Sequence, residues 1–404
     1  MKRIYVIAAL GALSCAVPAA AQTIAGAEPA GHGSIESVLH EVEGNNTTLE
    51  ALRQTAEAQK LENRTGIILD DPEIGFSYLW GGPAAIGNRQ DVSVTQSFDF
   101  GTVSGLKSKV AAQKNELVEW QYKADRMNIL LEAKLLCIDL IYWNALIESL
   151  ETRLANAGTI AESQRARLEH GEGNILEYNN ITLDLASVRN EVMRAGAERD
   201  AVLSQLAGLN GGKRIEFSES GYEPTEFPAS FEAWYSEAEA KNPILAYARQ
   251  EIEVSRRELS LSRTGNLPSL SVGYMGEFTL GQRYQGVSLG LSVPLWSNAR
   301  RVRQAKAAVL AAQARESDAK RQFYSTLETQ YLRASALKSV AENSRGALGL
   351  SDNSALLKKA MESGEISVPD YLVGLNLYYD ALMQTLEAER DYQKAYAELK
   401  AFEL

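Results

Sequence analysis

The stretch that most constrains this chain is Leu267 to Asn298, LPSLSVGYMGEFTLGQRYQGVSLGLSVPLWSN. It reads as two short strands. In the first, Leu270, Val272, Tyr274 and Phe278 share one face, and Ser269, Ser271 and Gly273 share the other. In the second, Val287, Leu289, Leu291, Val293 and Leu295 alternate with Ser288, Gly290, Ser292 and Pro294. Period-two alternation predicts a sheet with one apolar face. The opposite face is small and polar, with almost no charge. Lipid on one side and water on the other would ask for this pattern.

A second copy lies upstream, between Asp71 and Thr102. Ile74, Phe76, Tyr78 and Trp80 alternate with Glu73, Gly75, Ser77 and Leu79. After a Gly- and Pro-containing loop, Val92, Val94, Phe98 and Phe100 alternate with Ser93, Thr95, Ser97 and Asp99. Each strand is close to the roughly 9–11 residues that cross a bilayer obliquely. One such hairpin would suit a soluble sheet. Two matched hairpins, each followed by a very long helical pattern, favour a membrane wall. Ile74, Phe76, Tyr78, Trp80, Val287, Leu289, Leu291 and Val293 are expected to face lipid.

Charge and cysteine narrow the classes. The net charge of −11 argues against a nucleic-acid partner, because phosphate binding needs clustered positive charge. No run of 18 apolar residues suggests a spanning helix in the mature chain. Residues 1–21 read as a signal peptide: Lys2 and Arg3, an apolar core from Ile4 to Leu13, then Ala19-Ala20-Ala21 before Gln22. Lipidation at Cys15 is the other option, but Ala12-Leu13-Ser14 fits a lipidation box poorly. Cys137 would then be the one thiol, with no disulfide or zinc cluster.

The remainder reads as one plan used twice. Ser34 caps a helix to about Thr65, and a helical pattern runs from Val103 to about His170. His170-Gly171-Glu172-Gly173 interrupts it, and a further helix extends from Asn174 to about Leu209. The second copy has helices from Phe231 to Thr264, from Ala299 to about Ser363, and from Val368 to Glu403, with a break at Gly364. Asn46-Thr47-Thr48-Leu49 matches Asn242-Pro243-Ile244-Leu245, and Gly171 matches Gly364, at nearly constant offset. The expected units are therefore 22–209 and 229–404, joined by an irregular connection over 210–228.

Four spanning strands cannot close a barrel alone, since the smallest known need about eight. An open edge in lipid costs several kcal/mol for each unpaired backbone group. Chains must therefore pool strands. Two chains would leave an interior filled by side chains. The small Ser, Gly and Thr residues of the polar face favour three chains and an open lumen.

At this point the chain resembles the TolC-like outer membrane efflux family. The resemblance is carried by the two Asn-led motifs above, Leu267-Pro268, Ser292-Val293-Pro294-Leu295-Trp296, Leu168-Glu169-His170-Gly171 and Met361-Glu362-Ser363-Gly364. It covers nearly the whole mature chain. It implies a fold of mixed long helices and transmembrane β-barrel: a homotrimer with a 12-stranded barrel in the outer membrane over a periplasmic α-helical barrel. It further implies docking to a periplasmic adaptor (membrane fusion) protein and an inner-membrane resistance-nodulation-division (RND) pump. The short N-terminal region and Asp71-Pro72-Glu73 look most like the branch serving heavy-metal and related pumps.

The family places adaptor contacts at the helix breaks, here Gly171, Glu172, Gly173, Gly364, Glu365 and Ile366. It places an aspartate at the periplasmic aperture at the position of Asp370. Glu177 is its counterpart, each lying six residues after its glycine. An acid in the first turns of a helix is also favoured by the helix dipole alone. Met361 and Ile366 stand where the family has a closing tyrosine and arginine.

Enzymatic patterns fail. His32, His40 and His170 show no metal-ligand spacing, and Gly208 to Arg214 lacks the first Gly and the Ser/Thr of a P-loop. No catalytic residue, cofactor or metal is expected. The expected role is a passive exit duct. The alternatives are a type I protein-secretion conduit, which would use the same architecture, and a pore-free periplasmic coiled-coil protein, which would leave the two hairpins unexplained.

Overall fold

The protein is described by a computed structural model covering residues 33–404 except 297, 299 and 351–353. The expected signal peptide and Cys15 lie outside the described residues. The first half comprises α1 (Ile35–Asn45), α2 (Thr47–Asn63), β1 (Glu73–Leu79), β2 (Arg89–Phe98), α3 (Phe100–Val103), α4 (Leu106–Glu169) and α5 (Ile175–Leu209). The second comprises α6 (Phe231–Lys241), α7 (Pro243–Thr264), β3 (Ser269–Thr279), β4 (Gln282–Ser292), α8 (Arg301–Leu350), α9 (Ser354–Glu362) and α10 (Val368–Leu399). Residues 210–230 between them hold no helix or strand.

The helices expected over 34–65 and 231–264 are each broken once, at Asn46 and Asn242. The physical reason is the same in both. The Asn46 carboxamide oxygen accepts from the backbone N–H of Leu49, and that of Asn242 accepts from Ile244 and Leu245. A capping side chain satisfies N–H groups at the start of the following helix that would otherwise be left unpaired. Pro243 follows at the first helical position, where its missing N–H costs nothing.

The fourth strand-like position of the first hairpin is also corrected. Phe100 has strand parity in the sequence but starts α3. Asp99 turns the chain by accepting from the Thr102 N–H at 2.8 Å and from its hydroxyl at 2.5 Å. Helix α4 then begins at Leu106, three residues beyond the expected Val103. On the other side, α8 is described from Arg301 and α9 ends at Glu362; Ala299 and residues 351–353 of the expected helix lie outside the described residues.

Helix α4 has 64 residues, about 96 Å at 1.5 Å per residue. It packs against α2, α5, α7 and α10, so it is the rod to which both halves attach. Its burial is continuous at one end. Leu146, Leu150, Arg153, Ala157, Ile160 and Gln164 are all buried, at alternating spacings of four and three. That is the seam of a coiled coil.

Midway along α4, Ala133, Cys137, Leu140 and Ile141 are buried with Val38, Val42 and Leu206. There Arg126 forks onto Glu43 of α1, Nε to Oε1 at 2.6 Å and Nη2 to Oε2 at 2.8 Å. Its Nη1 donates to the Leu404 carbonyl. An aromatic group including Phe231, Trp234 and Phe402 packs beside this region with Leu399.

Candidate functional site

Three places hold the residues singled out in the sequence: the sheet, the ends of the long helices, and the seam between them. The sheet is antiparallel in the order β1-β2-β3-β4, so β2–β3 pairing joins the two halves. Register sorts its side chains into two faces. Ile74 lies opposite Val94, Val94 opposite Tyr274, and Tyr274 opposite Val287, one apolar row across all four strands. Phe98, Leu270 and Leu291 form another row, and Val272 faces Leu289.

Ile74, Phe76, Tyr78, Val287, Leu289 and Leu291 therefore share one face. It is open: Phe76 is 67% exposed, Val287 84% and Leu289 76%. Trp80 and Val293 are exposed as well but stand just past the ends of β1 and β4. Such an extent of exposed apolar surface marks an interaction face, because isolated soluble chains keep such patches small.

The other face is nearly flat. A Cβ on Gly290 would stand 2.3 Å from Ser271 Oγ, and one on Gly75 would stand 2.6 Å from Ser93 Oγ. A side chain there would force the serine of the paired strand to turn its hydroxyl away. Charge is less scarce on this face than the sequence suggests. Near the hairpin turns, Arg89 pairs with Asp91 at 2.8 Å and with Glu277 at 3.2 Å. Within the chain, β1 and β4 each keep one edge unpaired.

The helix breaks have the same geometry in both halves. At the first, the Glu172 N–H donates to the Arg167 carbonyl at 2.9 Å, and the Gly171 N–H to Leu168 at 3.0 Å. At the second, Glu365 donates to Ala360 at 2.9 Å and Gly364 to Met361 at 3.1 Å. These are paired Schellman closures, which need a left-handed residue after the helix. Gly171 at φ +76° and Gly364 at φ +78° supply it. Gly173 is required for another reason, since a Cβ there would lie 2.7 Å from the Leu168 nitrogen.

Glu172 and Glu365 are exposed, whereas Ile366 is half-buried against the cluster of Ile160, Ile181, Val368 and Tyr371. Because that cluster unites α4, α5 and α10, both breaks lie at one end of the molecule. Asp370 is exposed and half-engaged in a cap. Its N–H donates to Ser367 Oγ at 3.3 Å, and its Oδ2 accepts from that hydroxyl at 2.5 Å. Glu177 occupies the equivalent turn of α5 and is half-buried.

Sequence reading missed a buried polar junction above the tips. Arg153 of α4 is 5% exposed. Its Nη2 donates to Asp184 Oδ1 of α5 at 2.9 Å and to Asn376 Oδ1 of α10 at 2.6 Å. Glu191 Oε2 stands 3.7 Å from Nη1, too far for a hydrogen bond. The guanidinium also lies over the Tyr379 ring, 4.9 Å from its centroid. Burial pushes the neighbouring Tyr371 hydroxyl up to about 12. The available clue was Arg153 falling on the four-three seam.

Among the described residues, no group of three or more His, Cys, Asp or Glu could hold a metal ion. Cys137 is buried, and desolvation pushes its thiol up to about 12, leaving it no nucleophilic character at neutral pH. No described helix is long and apolar enough to cross a membrane.

Long helices carrying four antiparallel strands, two on each half, define a TolC-like architecture. Residues 234–402 match the family of outer membrane efflux proteins. The chain is similar to the alkaline protease secretion protein AprF of Pseudomonas aeruginosa, 26% identical over 65% of this chain and 59% of AprF. It is also similar to the outer membrane protein TolC of Vibrio cholerae, 23% identical over 72% of this chain and 70% of TolC. The AprF match thus spans less than two thirds of that relative. The fold is like that of the Campylobacter jejuni CmeC outer membrane channel, with a TM-score of 0.71 at 14% identity over 91% of this chain and 85% of CmeC. The second half of the chain thus matches the outer membrane efflux protein family, and the fold as a whole is TolC-like, the fold of outer membrane channels such as CmeC.

Proposed function

We propose that this chain is the passive outer-membrane exit duct of a tripartite efflux system. The observation that carries the reading is the four-stranded sheet with one exposed apolar face, one flat polar face and two unpaired edges. Unpaired backbone groups do not persist in hydrocarbon, so the edges must meet other copies. Three chains of four strands make a twelve-stranded barrel with the Ser/Gly face towards water. Ile74, Phe76, Tyr78, Trp80, Val287, Leu289, Leu291 and Val293 meet lipid. The helices continue the tube into the periplasm, and 22–209 and 229–404 act as two repeats of one plan.

The tips at Gly171–Gly173 and Gly364–Ile366 meet a periplasmic adaptor, and Asp370 rings the entrance with Glu177 near it. An inner-membrane RND pump supplies the energy, with small molecules or metal ions as cargo. The test is a deletion strain lacking its own channel, supplied with this chain and a matched adaptor and pump. Restored resistance together with pores in planar bilayers supports the duct. Pores without resistance under any pump pairing count against the efflux assignment.

The likeness to AprF, named as a protease secretion protein, favours one other reading: a type I protein-secretion conduit. Secretion of a protein cargo in place of drug or metal resistance would select it.

A further inference from the structure

The rim where the sheet joins the helices has a charge distribution unlike the rest of the chain. The protein carries a net charge of −11. Yet no Asp or Glu occurs between Glu277 and Glu316, while Arg283, Arg300, Arg301, Arg303, Lys306 and Arg315 fall in that interval. Four of these, Arg300, Arg301, Arg303 and Lys306, lie at or just before the start of α8, the helix that follows the fourth strand.

The fold adds a fifth. The Asn298 carboxamide donates to the Ser262 carbonyl at 2.8 Å and to Asn266 Oδ1 at 3.1 Å, fastening the start of α8 to the end of α7. That brings Arg263 to the same rim. Arg263, Arg300, Arg301, Arg303 and Lys306 are all exposed. None of them forms an ion pair among the described residues, although ion pairs join the helices elsewhere, further along α8 included. The positive end of the α8 dipole adds to their field instead of cancelling it.

Immediately towards the sheet the chemistry changes. Val293 is 51% exposed, Leu295 66% and Trp296 84%. An exposed tryptophan between an apolar wall and a basic stretch is the arrangement found at a bilayer–water boundary. The matching rim of the first half differs: Lys107 is paired with Asp99 at 3.0 Å, and Asp70 and Asp71 lie close in sequence to β1. The first half keeps only Arg64 and Lys109 exposed and without an ion pair at this rim, so the basic sector is densest in the second half.

We propose that Arg263, Arg300, Arg301, Arg303 and Lys306 form a collar that binds anionic phospholipid headgroups at the helix-side rim of the sheet, below Trp296. The partner is fixed by charge complementarity and by continuity with the apolar face. Asp99 and Glu258 line the same pocket as Arg301 but are paired with Lys107 and Lys114, so a phosphodiester offers the counter-charge that the five cations lack, at the depth where the acyl chains meet Val293 and Leu295. This inference rests on the reading that the apolar face meets lipid.

The test uses the full chain reconstituted in phosphatidylethanolamine vesicles with or without phosphatidylglycerol. Vesicle flotation reports insertion, and native mass spectrometry of the released protein reports the retained lipid. Wild type should float with both vesicles and retain phosphatidylglycerol preferentially, with the preference lost in high salt. Arg300→Gln/Arg301→Gln/Arg303→Gln should still float but lose about fivefold in that preference for each arginine neutralised. The corresponding triple Lys variant should behave as wild type. If wild type floats yet shows no headgroup preference, or if the Gln variant keeps it, the collar is wrong while the lipid face stands. If wild type floats with neither vesicle, both fall. Should the Gln variant fail to assemble, the salt dependence of wild type decides: a preference that survives high salt overturns the collar.

Discussion

Arg153 of α4 donates to Asp184 of α5 across 2.9 Å inside a seam where Leu150 and Ala157, on either side, are buried. Arg153→Met leaves that carboxylate without its partner and should destabilise the helical region by about 3–5 kcal/mol. Replacing both partners with apolar residues should recover most of the loss. Thermal unfolding in detergent would measure this, and a single variant that melts like wild type would refute a role for the pair.

Leu289→Arg should cost roughly 2–4 kcal/mol per chain if Leu289 meets lipid at mid-depth. Ser288→Arg, on the opposite face, should cost less. The measurement is the yield of folded assembly in outer-membrane fractions. Normal assembly of Leu289→Arg with loss of Ser288→Arg would invert the proposed faces.

Gly364→Val should abolish pump-dependent resistance while oligomers persist. A Cβ at Gly364 would meet nothing within 4 Å, so the penalty lies in the φ of +78° alone, about 1–2 kcal/mol. Gly364→Asn, which tolerates left-handed backbone, should be milder. Wild-type resistance in Gly364→Val would count against adaptor contact at this tip.

Asp370→Asn removes a charge but keeps an acceptor for Ser367, so the cap of α10 survives. Single-channel recordings should then show lower cation selectivity and weaker block by multivalent cations. Unchanged selectivity would reduce Asp370 to its capping role.

The fork from Arg126 holds the Glu43 carboxyl below its ordinary value of 4.5, against opposing desolvation. A carboxylate lowered in the folded state adds stability that is complete above the unfolded value. That stability is lost as pH falls through the lower folded value. Both side chains are partly exposed, so screening keeps the gain within about 1 kcal/mol. Wild type should lose slightly more stability than Glu43→Gln between about pH 5 and about pH 3, the carboxylate range. Equal losses would refute the linkage.

The hairpins and the glycine breaks were legible because their causes are local. Period two places Leu289 and Ser288 on opposite faces whatever surrounds them, and a helix that reverses needs a residue such as Gly364. Asn46 and Asn242 were legible as motifs but not as breaks, because the helical pattern resumes directly after each cap. Phe100 kept strand parity while Asp99 had already turned the chain. Arg153 was hidden because its partners lie 31 and 223 residues away, a proximity that only the packing of α4, α5 and α10 creates.

The two unpaired sheet edges also make reaction order part of the biology. A chain with β1 and β4 open cannot finish its own sheet, so completion depends on encounters between copies. The hypothesis is that finished ducts rise more steeply than in proportion to synthesis until encounters cease to limit them. Titrating expression and counting assembled oligomers would test this, and strict proportionality from the lowest dose would refute it. A modest fall in supply would then silence export disproportionately, with no residue of the duct altered.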